Sequence, residues 1–169
     1  AGLLWVSLAF ASTLGLNRSI SQERESSALD GLLLAPTDRS AIFIGKNLGN
    51  FCFTSLVGLV LLPMFSLFYQ QNMLKLNLIL VMLLGISAYT SLGTLLSALS
   101  IQARTRDVLL PVLLFPLALP ILIAAVEASR GLLSGQSLND VSNWLYLILA
   151  GVLLFNAAGL LFFESILEE

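Results

Sequence analysis

Five stretches without a charged residue dominate the chain, at 1–17, 47–74, 76–103, 108–126 and 141–163, with lengths of 17, 28, 28, 19 and 23 residues. A hydrocarbon core about 30 Å thick takes roughly 20 helical residues to cross, so four of these runs can span a membrane and the first falls just short. Short polar segments separate them. The pattern predicts an all-α protein, a polytopic transmembrane helical bundle of five helices forming a single domain over residues 1–169. The opening Ala1-Gly2-Leu3-Leu4 has neither the charged start nor the small-residue cleavage pattern of a secretory signal. It reads as starting inside a membrane helix, with amino-terminal residues missing.

Composition agrees: hydrophobic residues reach 57% and charged residues only 11%, whereas soluble domains hold about 45–50% and about 25%. The distribution of charge sets an orientation. Lys and Arg stand at positions 18, 24, 39, 46, 104 and 106, while only Lys75 and Arg130 occupy the alternate connections. By the positive-inside rule, the segments around 18–46 and 102–107 are cytoplasmic, as is the carboxyl terminus. Tyr69, Trp144 and Tyr146 then fall at outer helix ends, where amphipathic rings favour the headgroup layer. One further helix before Ala1 would return the amino terminus to the cytoplasm. No basic field is present to attract nucleic acid.

Candidate chemistry is sparse. The chain has no histidine, which removes the commonest metal ligand and general base, so neither a metal site nor a catalytic residue is assigned. The single Cys52 lies in a charge-free run and is expected to fill space as a small apolar side chain. Ser40 to Asn47 approaches a phosphate-binding loop but fails at two of its four fixed positions. No acidic pair lies within a span, and Glu127 and Asp140 bracket an exterior loop as solvated charges. The chain is expected not to be an enzyme.

Two membrane segments carry unusual residues. In the third run Ser87, Thr90, Ser91, Thr94 and Ser97, with Gly85 and Gly93, recur mostly at steps of three or four. Such a stripe brings helix backbones close or lines a substrate path, and both readings are open. In the fourth run Pro111, Pro116 and Pro120 follow one another. Each proline lacks an amide hydrogen and crowds the carbonyl four residues earlier, so Pro116 frees that of Val112 and Pro120 that of Pro116. A kinked or broken helix is expected, serving packing alone or acting as a hinge.

The segment from Ser19 to Pro36 is the most informative. Ser19 with Gln22, and Ser27 with Asp30, have capping-box spacing, and Pro36 ends a helix at Ala35. Leu29, Leu32 and Leu33 fall within a 100° arc, with Glu23, Ser27 and Asp30 turned away. The reading is a short amphipathic helix over about residues 21–35, resting either on lipid or in a protein groove. Glu23, Glu25 and Asp30 outnumber Arg24, which favours the groove over anionic lipid.

Glu23-Arg24-Glu25, the string Ala28-Leu29-Asp30-Gly31-Leu32-Leu33-Leu34-Ala35-Pro36 and the following Asp38 to Lys46 resemble the cytoplasmic signature of the haem exporter protein B family. Leu110 to Leu122 is similar to that family's later hydrophobic motif. The resemblance covers nearly the whole chain. It implies an ABC-2 exporter type permease with six membrane helices in the full-length protein, in the bacterial inner membrane, acting in cytochrome c maturation. It further implies a homodimer, a separate ABC ATPase subunit that uses ATP and engages the cytoplasmic helix, a haem-handling membrane protein and a periplasmic haem chaperone. Haem is then a substrate of the complex; without histidine, axial ligands in this chain reduce to Met64, Met73, Met82, Cys52 and tyrosines. Two rivals are a type 2 permease for a lipid-linked glycan or drug, and a secondary transporter, which the lack of intramembrane acids disfavours.

Overall fold

The computed structural model describes residues 1–25, 39–99 and 106–166, with side chains over 1–18, 40–99 and 112–162. Within hydrocarbon every backbone amide and carbonyl must find a partner, and a helix satisfies them inside one segment. The described residues accordingly form helices and turns: α1 Gly2–Glu25, α2 Arg39–Tyr69, α3 Leu76–Leu99, α4 Arg106–Leu133 and α5 Ser142–Ile166. Four of them, α2 to α5, are long and apolar enough to cross a membrane. Among the described residues the fold is all-helical, and the protein is a multi-pass membrane protein.

Helix α3 is the hub and touches all four others. Of its most apolar stretch 72% is buried, against 11% in α5, whose side chains mostly face outward. Glycines make this centrality feasible. A Cβ at Gly85 would strike the indole of Trp5, and one at Gly93 would strike Leu16, so α1 lies flush against α3. Trp5 is buried, and its Nε1 donates to Ser129 Oγ of α4 at 3.0 Å. One side chain thereby ties α1, α3 and α4. A second tie joins the hydroxyls of Thr13 and Tyr89 at 3.0 Å.

The turns at one end of the bundle are closed by local chemistry. Gln70 follows α2 with φ 50°, a left-handed conformation unusual for a side chain other than glycine. It is fastened by Ser66, whose hydroxyl donates to the Gln71 carbonyl at 2.7 Å. Helix α4 ends in a Schellman motif: Gly135 sits at φ 92°, with Gln136 N donating to Gly131 O and Gly135 N to Leu132 O. Asp140 Oδ2 accepts from both the hydroxyl and the amide of Ser137. Those bonds, the hydroxyl first, hold the exposed carboxyl below the usual aspartate range. Tyr69, Trp144 and Tyr146 are exposed at this end of their helices.

Three expectations are corrected. The capping-box reading at Ser19 and Gln22 fails, because α1 continues through both to Glu25. Residues 18–25 contain neither proline nor glycine, and extending an existing helix costs less than starting another. Glu23, Arg24 and Glu25 therefore form the end of α1; Leu29, Asp30, Leu32, Leu33 and Pro36 lie outside the described residues. Second, α4 is unbroken from Arg106 to Leu133, so no gap opens at Pro111, Pro116 or Pro120. Pro116 and Pro120 are exposed, on the same outward face as Val112, so the freed carbonyls lie on the bundle's surface and the helix continues on its buried side through Leu114, Ala118 and Ile121. The sequence reading also passed over Pro63, inside α2. Third, Cys52 is exposed on α2 and fills no interior space.

Candidate functional site

At the end of the bundle opposite those turns, α2, α3 and α5 meet through amides and hydroxyls. Asn47 Nδ2 donates to Ser91 Oγ and to Asn156 Oδ1, both at 3.0 Å. Asn156 Nδ2 donates to the same Ser91 Oγ at 2.8 Å and to the Val152 carbonyl at 2.8 Å. Ser91 Oγ in turn donates to the Ser87 carbonyl at 2.7 Å. One turn further along α2, Asn50 Nδ2 donates to Thr94 Oγ1 at 3.3 Å. Placing Asn at positions three apart sets both amides on one face of α2, toward the hydroxyl stripe of α3.

Beside this network Phe43 is fully buried with Leu95 and Ala98. Gly159 of α5 leaves the space for its ring, since a Cβ there would overlap it. Phe43 lies four residues into α2. It anchors the helix start, where the chain arrives from segment 26–38, to α3 and α5 together. A cleft of about 230 Å³ opens next to the triad, lined by Ile44, Asn47, Leu48, Phe51, Ser87 and Asn156.

The stripe foreseen on α3 is divided by this geometry. Ser91 and Thr94 bond the asparagines, Thr90 donates back to the Ser87 carbonyl, and Ser97 is buried. Ser87 is the one stripe residue that lines the cleft. The triad's asparagines were missed. Asn156 interrupts the apolar run 141–163, and Asn47 and Asn50 open the run 47–74; an amide in an otherwise apolar span was the available signal. Among the described residues no group of three or more metal-ligating side chains occurs.

The chain belongs to the CcmB protein family, whose model matches residues 1–164. It is 33% identical over 131 residues to Heme exporter protein B of Rhodobacter capsulatus, covering 77% of this chain and 60% of that protein. It is 28% identical over 134 residues to Heme exporter protein B of Bradyrhizobium diazoefficiens, covering 79% and 60%. To Heme exporter protein B of Pseudomonas aeruginosa it is 28% identical over 145 residues, covering 85% and 65%. The chain thus spans about 60% to 65% of the length of these curated relatives. No solved structure matches it.

Proposed function

We propose that this chain is the membrane permease subunit of an ABC complex for haem export and handling in cytochrome c maturation, in the bacterial inner membrane. The family match over residues 1–164 carries this reading. Nucleotide chemistry belongs to a separate ATPase subunit, and this chain is non-catalytic. The segment Glu23 to Pro36 is the coupling element: Leu29, Leu32 and Leu33 enter an apolar groove of the ATPase in the helix-in-groove manner, and Glu23, Arg24, Glu25 and Asp30 form its rim.

The chain's route then gives the movement a direction. Segment 26–38 joins α1 to α2, and Phe43 inserts the start of α2 between α3 and α5. A displacement of the coupling segment reaches α3 and α5 through that ring and the asparagine triad. In a homodimer this motion would release a haem-loaded periplasmic chaperone from the complex, with a haem-handling membrane protein as the further partner. Of the candidate sulfur ligands, Met73 and Met82 are packed in the core, whereas Met64 and Cys52 are exposed.

Burying a leucine contributes about 1.5–3 kcal/mol, so Leu29→Asp or Leu32→Asp should abolish co-purification with the ATPase subunit and lower cytochrome c yield. Normal assembly and maturation in both variants would overturn the coupling role. Orientation is tested separately: cysteines replacing Ser27 and Ser137 in a Cys52→Ser background should label from opposite faces of the membrane.

A further inference from the structure

We infer that the outward face of α4 at Val112, Pro116 and Pro120 docks a membrane helix of a different polypeptide, one that presents hydrogen-bond donor side chains to the carbonyls of Val112 and Pro116. The inference deepens the reading of this chain as one subunit of a membrane complex and rests on it. It starts from backbone accounting. Pro116 has no amide hydrogen for the Val112 carbonyl, and Pro120 has none for the Pro116 carbonyl. Two acceptors one turn apart therefore lose their usual donors inside a helix that is continuous from Arg106 to Leu133.

Depth decides what this loss means. The charge-free run 108–126 holds 19 residues, roughly 28 Å of helix, so it just fills the hydrocarbon. Pro116 stands near its middle, and Val112 lies one turn nearer the Asp107 end. A freed carbonyl in a membrane helix is met by a Ser or Thr side chain, an ordered water or a neighbouring helix, and the hydrocarbon itself holds no water. The run 108–126 has no side chain that can donate. Val112 is 61% exposed, and Pro116 and Pro120 are exposed with it, so no described helix of this chain covers the face.

What covers this face must bring hydrogens. An acyl chain brings none. A second copy of the same face brings none either, because the two would meet acceptor to acceptor and proline to proline. Contact with some other face of a second copy would be head-to-tail and would not close as a dimer does. A partner helix with Ser, Thr, Asn or Gln at matching levels supplies both carbonyls, through the kind of interhelical bond by which membrane helices associate.

The test is photocrosslinking of the intact protein in its own membranes, with p-benzoylphenylalanine in place of Ile123, which shares this face and is 53% exposed. Irradiation should yield an adduct with another polypeptide. The attached peptide, sequenced by mass spectrometry, should lie in an apolar span with a Ser, Thr, Asn or Gln within one turn of the attachment. Pro116→Val with Pro120→Val restores both amide hydrogens and keeps much of the bulk of each ring, so the adduct should fall at least fivefold at equal amounts of inserted protein. Should the double variant fail to insert, Pro120→Val alone restores the donor to the deeper carbonyl and should at least halve the adduct. An undiminished adduct in the valine variants would mean that shape alone holds the partner, and would overturn the proposal. So would adducts with lipid alone or with a second copy of this chain; the subunit reading would outlast these results, since the Leu29 and Leu32 variants test it separately.

Discussion

Where the 70–75 and 134–141 turns close the bundle, the helices are joined by short connections and by one large aromatic knob, Trp5, set into the space at Gly85. At the other end α2, α3 and α5 are joined by neutral amides and hydroxyls in a mutual network. The two fastenings respond differently to force. An indole packed against a glycine has one arrangement, and displacing it leaves a void or a clash. An amide in a membrane exchanges one partner for another at little net cost, since interhelical hydrogen bonds there average about 0.6 kcal/mol. The turn end is therefore the fixed end, and the asparagine end is where helices can re-pair.

The largest effect is expected from breaking the fixed end. Gly85→Ala places a Cβ in the Trp5 ring, and overpacking of this kind costs about 1–3 kcal/mol. Thermal unfolding in detergent should show a clearly lowered midpoint, with tryptophan emission shifted as Trp5 leaves Ser129. An unchanged midpoint would mean that Trp5 is not a rigid fastening.

The asparagine end should yield less. Asn156→Leu removes three hydrogen bonds, yet the loss should stay near about 1–2 kcal/mol because each is weak in the membrane. A double-mutant cycle with Asn47→Leu should give a coupling of about 0.6 kcal/mol. A coupling of several kcal/mol would make this end as fixed as the other and remove the contrast.

Smaller still should be Pro116→Ala. The proline is exposed and its helix is already continuous, so insertion and stability should hardly change. If the proline serves as a hinge, cytochrome c maturation falls while the amount of inserted protein does not. Equal maturation in both proteins assigns Pro116 to surface packing.

The smallest effect lies in the 134–141 turn. Ser137→Ala removes the hydroxyl that is the main cause of the depressed Asp140 pKa and leaves the backbone amide. The carboxyl midpoint, followed by carbon-13 NMR of labelled aspartate, should rise part of the way to the ordinary value. A depressed folded pKa contributes stability that is present above the unfolded pKa and lost as pH falls through the folded one. The Ser137 contribution should therefore be full above about pH 4 and vanish in stronger acid.

The helices were legible because charge and hydrocarbon exclude one another: each charge-free run supplies most of the apolar body of one helix among the described residues. The end of α1 was not, since Ser19 and Gln22 fit a helix start as well as a helix interior, and only the preceding turn decides. A break at Pro116 did not follow, because a helix that faces outward on one side keeps its remaining hydrogen bonds on the other. The triad was hidden for a different reason. Asn47, Ser91 and Asn156 come from three helices, and their meeting depends on which face α5 presents to α3, a matter of packing at Gly159 and Phe43 that no single-run pattern contains.

The two closed turns have a bearing on how the protein is built. They make α2 with α3, and α4 with α5, two hairpins that can enter the bilayer as pairs. Asn47 and Ser91 already belong to one hairpin, whereas Asn156 belongs to the other and has only the Val152 carbonyl for its amide until α5 docks. Docking supplies Ser91 and Asn47 at once. An unassembled second hairpin thus leaves Asn156 with amide groups unmet, and docking of the two hairpins is what satisfies them.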